Sequence, residues 1–154
     1  MTAWIGIDPG LKGGIAVIDA NGPIVWRMPT IKRGSKTIVD VTTVRDIICN
    51  TPGHLGMVMI EKVNAGAVPS RQSAFSFGHG YGRVEAVIEA FDRPLDYVLP
   101  DTWIKAFGIP VGAGKAEHIA TARRLYPDVT ITTDGQADAL LIAEWCRRTW
   151  GNGR

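Results

Sequence analysis

The chain has 154 residues, of which 45% are hydrophobic and 21% are charged. This size and composition fit one globular domain with its own hydrophobic core, and they exclude a disordered or fibrous protein. Lysine and arginine number 17 against 15 acidic residues, a net charge of +2, so the chain lacks the strongly basic character that is typical of nucleic-acid-binding proteins.

Short apolar runs predict that the chain begins with a meander of three strands. The runs cover residues 4–7, 13–18 and 24–26. Asn21-Gly22, between the second and third runs, is typical of a tight hairpin turn. The polar and basic stretch 30–36 is predicted to be a mobile loop. A helix is predicted over 40–50, where valine and isoleucine recur at helical spacing.

The rest of the chain alternates strands and helices. A continuous apolar run over 57–61 predicts a strand that is buried on both faces, and residues 95–98 are predicted to form the last strand. Helices are predicted over 71–91, from Pro100 onward, over 115–126 and over 137–150. This order predicts a single α/β domain over residues 1–154, in which a mixed sheet is flanked by helices on both faces.

Three acidic residues occupy positions where burial is expected. Asp8 and Glu61 each end an apolar strand, and Asp138 lies in the otherwise apolar helix segment 137–143. Burying an ionised carboxylate is costly unless a basic group or a metal pairs with it, and ligand sites in open α/β sheets lie at the carboxyl ends of strands. Asp8 alone also fits a turn before Pro9-Gly10, and Glu61 alone a solvent-exposed strand end. Three such acids together favour a metal site.

Asp134 is the candidate fourth ligand, because it lies four residues before Asp138 on the same helix face. The alternative is a role in the helix start: Thr133 and Gln136 have capping-box spacing, or Asp134 is itself the N-cap. Oxygen ligands without a His or Cys pattern indicate Mg²⁺ or Mn²⁺ rather than zinc. Since carboxylate-held Mg²⁺ pairs serve phosphodiester cleavage, we expect a site for phosphate chemistry.

Three motifs, in this order, resemble the RuvC family of Holliday junction resolvases, in particular its compact phage versions. They are Ile5–Gly10 followed by Gly13-Gly14, Ile60–Val63, and Ala137–Ala143. The resemblance covers nearly the whole chain. It implies an RNase H-like fold and a homodimer whose interface begins on the helix 71–91. It also implies symmetric cleavage of four-way DNA junctions, in recombination and repair, with two divalent metal ions in each active site.

The resemblance assigns a role to each predicted ligand. Asp8 would bridge two Mg²⁺ ions, and Glu61 and Asp138 would each hold one, with Mn²⁺ as a possible substitute. Many family members place the remaining ligand three residues before the last Asp, where this chain has Gly135. Asp134, one residue earlier, is the predicted replacement.

Four residues are predicted to contact nucleic acid. Lys105 and Lys115 match basic positions that would hold backbone phosphates near the scissile bond, and Lys115 is also assigned to the catalytic set. Arg71 begins the helix 71–91 and is predicted to contact DNA there. Asn64 stands where the family can carry a base-stacking aromatic residue, so the resemblance does not determine whether cleavage has a sequence preference.

Three alternative functions stay open. The first is an RNase H-like nuclease that acts on RNA or an RNA–DNA hybrid, as YqgF-type proteins do. An actin-like or sugar-kinase ATPase would share Asp8-Pro9-Gly10, but those folds need two such domains. The third is a non-catalytic junction-binding protein, which the complete acid set disfavours.

Two other patterns are given structural interpretations. Gly112–Lys115 lacks the first glycine and the final Ser or Thr of a P-loop, so no nucleotide cofactor is expected. His54, His79 and His118 share no ligand spacing and are interpreted as ordinary surface or helix-side residues.

The predicted metal ligands change the meaning of the charge balance. Without Asp8, Glu61, Asp134 and Asp138, the 17 basic residues face 11 acidic ones, so the rest of the chain is basic. The small net charge therefore does not argue against branched DNA as the partner.

The expected location is the cytoplasm. The first residues have no signal-peptide pattern, and no apolar stretch reaches the roughly 20 residues that cross a bilayer, so no membrane contact is expected. Cys49 and Cys146 are both flanked by apolar residues and fit buried thiols in a reducing compartment.

Overall fold

The structure, a computed structural model, describes residues 2–63, 70–110 and 112–151. Its strands are β1 (Thr2–Asp8), β2 (Gly14–Asp19), β3 (Gly22–Arg27), β4 (Thr30–Arg33), β5 (Lys36–Val39), β6 (His54–Glu61) and β7 (Leu95–Val98). Five of them form one sheet in the order β3-β2-β1-β6-β7. The meander β1-β2-β3 is antiparallel, whereas β1, β6 and β7 run parallel. The predicted mixed sheet is confirmed.

Helices cover both faces of this sheet, as predicted. They are α1 (Val41–Cys49), α2 (Arg71–Ala90), α3 (Pro100–Ala106), α4 (Lys115–Leu125) and α5 (Asp134–Trp150). Buried residues of α1 and α2 share a core with one face of the sheet, and buried residues of α3, α4 and α5 share a second core with the other face. Each predicted helix is present, and α5 begins three residues earlier than the predicted start at 137.

The stretch 30–36 is not the mobile loop that its polar composition predicts. It forms most of an antiparallel hairpin, in which β4 pairs with β5 and Ile31 lies opposite Ile38. Gly34 takes a positive φ of 60° at the turn, a conformation that glycine adopts at little cost. The sequence of this hairpin lacks the alternation of apolar and polar residues that indicates a strand, because most of its residues are exposed and only Val39 at the end of β5 is fully buried.

The burial pattern of β1 fixes the direction of its last side chain. Ala3, Ile5 and Ile7 lie in the core shared with α1 and α2, whereas Trp4 lies in the core shared with α5. Because side chains alternate along a strand, Asp8 belongs to the same face as Trp4. The first predicted ligand therefore points to the α5 side of the sheet.

A glycine lets α5 lie directly against the central strand. A Cβ atom at Gly6 would come within 3.0 Å of backbone atoms of Ala139 and Ala143. Such an approach is closed to any other residue unless the helix moves away. The backbone of α5 therefore rests on the middle of β1 and carries Asp138 towards the end of that strand.

A buried acid fixes α4 to α5. Glu144 is 3% exposed and accepts a hydrogen bond of 2.6 Å from the Tyr126 hydroxyl, at the end of α4. Arg147 and Arg148 donate further bonds to the same carboxylate. Burial alone would raise the pKa of Glu144, but the bonds from Arg147, Tyr126 and Arg148 outweigh it and lower the pKa to about 2. This ionised anchor holds α4 in place beside the site.

Two further expectations concern the state of the cysteines and the presence of membrane-spanning helices. Both cysteines are free thiols; Cys146 is buried and Cys49 is half-buried. Across the described ranges, no helix is both long enough and apolar enough to cross a membrane. Location in the cytoplasm stays a prediction.

Candidate active site

Two of the predicted acids lie side by side at one edge of the sheet. Asp8 and Glu61 are the last residues of the neighbouring parallel strands β1 and β6. Ile7 pairs with Ile60, so the strands reach these acids in step. Met59, two residues before Glu61, belongs to the core shared with α5, and Glu61 therefore points to the same side as Asp8.

Asp138 reaches the same place from α5. Burial first, and then the negative charges of Glu61, Asp138 and Asp134, raise the pKa of Asp8 to about 7. Charges couple in this way only when they are close in a region of low polarity. The structure thus brings the acids of the predicted cluster into one half-buried pocket. Their role as metal ligands stays a prediction.

Glu61 is held by an indole from α3. The Trp103 Nε1–H donates to Glu61 Oε1 at 3.0 Å, and Trp103 is only 1% exposed. Burial raises the pKa of Glu61, the Trp103 bond lowers it, and the charge of Asp138 raises it. Trp103 is a core residue, but it also touches the site. Nothing in its local sequence signals that second role.

Asp138 is held by an imidazole from α4. His118 Nδ1 lies 2.7 Å from Asp138 Oδ1, and both side chains are largely buried. Burial raises the pKa of Asp138, while the hydrogen bond and charge of His118 lower it. The interpretation of His118 as an ordinary surface or helix-side residue is therefore wrong. His118 shares a helix face with Lys115, three residues earlier, but this spacing alone does not indicate a contact with Asp138.

Asp134 is not the N-cap of α5. Thr133 is the N-cap, and it forms a complete capping box with Gln136. Asp134 occupies the first helical position, where it forms an ion pair with Lys115. That lysine lowers the pKa of Asp134. The capping box at Thr133 is therefore confirmed, and the role of Asp134 as a metal ligand stays a prediction.

Gly135 cannot be exchanged for an acid without moving backbone. A Cβ atom at this position would lie 2.5 Å from the Gly13 Cα atom and would also collide with the Lys12 carbonyl. The first turn of α5 is therefore packed directly on the β1–β2 turn. This contact gives a physical reason why the sequence has no carboxylate three residues before Asp138.

The donor chemistry of the pocket fits a hard divalent cation. Asp8, Glu61 and Asp138 offer only carboxylate oxygens, which Mg²⁺ and Mn²⁺ prefer. Burial and then the charges of the other acids raise the pKa of Asp8, so its ionised form lacks a compensating cation even though Lys115 contacts Asp134 and His118 contacts Asp138. Among the residues that the structure describes, no three acidic, His or Cys side chains are already arranged as a metal site. The pocket therefore fits a metal by its charge and donor atoms.

Comparison with known proteins bears on the fold. No family model matches the chain, and no curated protein matches it. Among solved structures, Thermus thermophilus RuvC in complex with a Holliday junction substrate is 18% identical, with a TM-score of 0.68 over 93% of this chain and 90% of that one. A second T. thermophilus RuvC structure is 17% identical, with a TM-score of 0.61 over 97% and 96%. The fold is RuvC-like. The resemblance and the RNase H-like α/β fold class are thereby confirmed.

On this RuvC-like fold, the predicted nucleic-acid contacts occupy separate places. Lys115 lies beside the acids, at the first residue of α4, with its side chain 77% exposed. Lys105 and Arg71 are exposed, in the last turn of α3 and at the start of α2, and neither forms an ion pair with another described residue. Asn64 lies outside the described residues. The DNA contacts of all four stay predictions.

Proposed function

We propose that this protein is a divalent-metal-dependent, structure-selective endonuclease that resolves four-way DNA junctions and cleaves other branched DNA. The observation that carries the proposal is the half-buried group of Asp8, Glu61 and Asp138 at the ends of the central strands of a RuvC-like fold. The junction bound to T. thermophilus RuvC supports the choice of substrate.

In this proposal the acids hold two Mg²⁺ ions, for which Mn²⁺ can substitute. Asp8 lies between the other two acids in the charge network and would contact both ions, while Glu61 and Asp138 would each contact one. Asp134 is the proposed fourth ligand once Lys115 leaves it. When bound, such a pair activates a water for attack on the phosphodiester and stabilises the departing 3′ oxygen. We expect products with 5′-phosphate ends.

The surface beside Asp8 suits an extended substrate. A groove of about 570 Å³ runs from the loop after β1 to the first half of α2. Its lining includes Gly10, Lys12, Ser73, Ser76 and Phe77. Hydroxyl groups, a lysine and an aromatic ring are groups that bind phosphate and bases. One DNA strand would follow this groove towards the carboxylates.

The proposed molecule is a homodimer, because symmetric cleavage needs two active sites. The helix α2 supports this arrangement, since Phe75 is 77% exposed on it. A Cβ atom at Gly78 would meet nothing within 4 Å, so this part of α2 is open to a second chain. An exposed aromatic side chain next to a glycine, where no side chain covers the helix backbone, is typical of a protein–protein interface.

Lys115→Ala is expected to weaken junction binding most at low salt. The lysine leaves Asp134 for a backbone phosphate in the proposed complex, and each such contact releases counterions. The slope of log Kd against log salt should therefore fall by about 1. Fluorescence anisotropy with a labelled junction in EDTA measures the slope. Arg45→Ala, on α1 at the other face of the sheet, removes the same charge and should leave the slope unchanged. Equal slopes for wild type and Lys115→Ala would exclude the phosphate contact.

The decisive experiment compares substrates and one acid. Purified wild type is incubated with a synthetic four-way junction, a matched linear duplex, an RNA–DNA hybrid and structured RNA, with Mg²⁺ or with EDTA. We expect cleavage of the junction alone, only with Mg²⁺, and none by Asp138→Asn, which still binds the junction. Asp128→Asn, an exposed acid before α5, is the matched control and should cut normally.

The other outcomes separate the alternatives. Preferred cleavage of RNA or hybrid would replace the proposal by the YqgF-like function. Junction binding without metal-dependent cleavage would replace it by a non-catalytic junction-binding protein. Cleavage by Asp138→Asn at the wild-type rate would remove the proposed metal site.

A further inference from the structure

The carboxylates of the site are held from behind by two aromatic residues that touch each other. Trp103 donates to Glu61 Oε1, and His118 lies against Asp138 Oδ1. The two rings meet edge to face, with centroids 5.4 Å apart and planes at 79°. A continuous line of contacts thus joins Glu61 to Asp138 through α3 and α4.

We propose that Trp103 and His118 form a positioning pair that sets the geometry of the metal site. Each ring occupies one oxygen of its carboxylate, Oε1 of Glu61 or Oδ1 of Asp138, and leaves the other oxygen for a ligand. The inference rests on the proposed function, because it concerns the same site. Neither ring touches the substrate in this proposal; both act through the acids.

The hydrogen-bond chemistry supports this division of roles. An ionised carboxylate only accepts hydrogen bonds, so with Asp138 ionised the His118 Nδ1–H is the donor of this contact. Trp103 has one donor, and Glu61 uses it. Both acceptors therefore keep lone pairs on the second oxygen. Partners of this kind orient ligating groups in metal sites, and their loss costs about 10–100-fold in metal affinity.

The packing explains why the two rings work as a unit. Trp103 is 1% exposed, and the His118 side chain is 13% exposed, so neither ring has room to rotate freely. Their edge-to-face contact means that a shift of one ring displaces the other. The anchor of Tyr126 on Glu144 fixes the far end of α4 and so limits movement of His118 along α5. We therefore expect the effects of the two residues to be coupled.

Mn²⁺ binding to the metal-free protein, without DNA, tests the pair. Titration calorimetry and the paramagnetic resonance signal of free Mn²⁺ both give the dissociation constant. His118→Leu should weaken binding about 10–100-fold. His118→Asn places an amide N–H at the position of Nδ1, so its dissociation constant for Mn²⁺ should stay close to that of the wild type. Trp103→Phe keeps an aromatic ring but loses the Nε1–H donor to Glu61, so it should also weaken Mn²⁺ binding. His54→Leu, at the exposed opposite end of β6, is the control and should bind as wild type does.

Thermal unfolding by circular dichroism separates positioning from a purely structural role. A folded His118→Leu with weakened Mn²⁺ binding, rescued in His118→Asn, supports the inference. Folded variants that all bind Mn²⁺ like the wild type overturn it, as does equal weakening by Leu and Asn. Should His118→Leu fail to fold, Trp103→Phe decides, with weakened binding in support and unchanged binding against.

A cleavage assay distinguishes this inference from the proposed function. For a protein that cuts junctions, the positioning variants should need more metal for half-maximal cleavage, with an unchanged Kd for the junction. Mn²⁺ binding that depends on Asp8 and on His118, in a wild type that cuts no junction, would refute the proposed function and leave the positioning pair standing. Normal cleavage with no dependence of metal binding on either ring would do the reverse.

Discussion

Asp8→Asn is expected to abolish cleavage and, in the same protein, to stabilise the metal-free fold. Burial and the charges of Glu61 and Asp138 raise the pKa of Asp8 from 3.8 to about 7. An acid with a raised pKa is unfavourable in its ionised form, so the wild-type protein gives up stability to keep it. Asparagine has the same shape but no charge to bury.

The sign of the pH dependence follows from proton binding. Between pH 3.8 and about 7, the folded protein keeps a proton on Asp8 that the unfolded chain has lost. The free energy of unfolding of metal-free wild type should therefore fall as the pH rises through this window. The loss is fully present above the folded pKa, and the shift corresponds to about 4 kcal/mol. Asp8→Asn should lack this pH-dependent loss of stability and should be more stable than wild type at pH 8.

Chemical denaturation in EDTA at pH 4, 6 and 8 measures this difference. Mg²⁺ should raise the Tm of wild type, because it neutralises the pocket, and should have little effect on Asp8→Asn. Junction cleavage should fall by at least about 10³-fold, since losing the central ligand removes several kcal/mol of transition-state stabilisation. Asp128→Asn serves again as the control. A variant that cuts at the wild-type rate, or that is less stable than wild type at pH 8, would contradict the assignment of Asp8.

Local sequence patterns predict much of the fold and the core of the site. Apolar runs mark β1 and β6, and each run ends at an acid. The two acids are expected to lie side by side, because parallel strands end at the same edge of a sheet. Asp138 stands out as the single charge in an apolar stretch of helix. Each of these signals lies within a few residues, so no tertiary information is needed to detect it.

The partners of the acids depend on tertiary packing and leave no such signal. His118 lies 20 residues from Asp138, and Trp103 lies 42 residues from Glu61. Their contacts arise only because α3 and α4 pack on the same face of the sheet as α5. A histidine without ligand spacing and a tryptophan in a core are the ordinary interpretations of such residues. The β4–β5 hairpin is missed for a related reason, since exposed polar residues dominate its composition.

The departure at Gly135 shows how packing decides the ligand set. The resemblance places an acid or a histidine at this position, whereas here the glycine lies against the backbone of Gly13. The acid is found one residue earlier, at Asp134, where it forms an ion pair with Lys115. The close contact between α5 and the β1–β2 turn therefore excludes a side chain at 135, and Asp134 stays the predicted fourth ligand.

Gly135→Ala is expected to destabilise the protein by about 2 kcal/mol or more. The new methyl group would meet backbone atoms of Lys12 and Gly13, which cannot turn aside as a flexible side chain can. The gain in helix propensity, about 1 kcal/mol, is smaller than this overpacking cost. Gly135→Asp meets the same collision, so adding the acid should lower stability and should not improve Mn²⁺ binding.

Gly82→Ala is the matched control for this prediction. It lies in the interior of α2, and its Cβ atom would meet nothing of its own chain within 4 Å, so the comparison is made at protein concentrations that keep the chain monomeric. It should therefore be neutral or should stabilise the protein by up to about 1 kcal/mol. Denaturant titrations of both variants give the two free energies of unfolding. If Gly135→Ala were as stable as Gly82→Ala, α5 would not be packed on the β1–β2 turn, and the exclusion of a ligand at 135 would lose its physical basis.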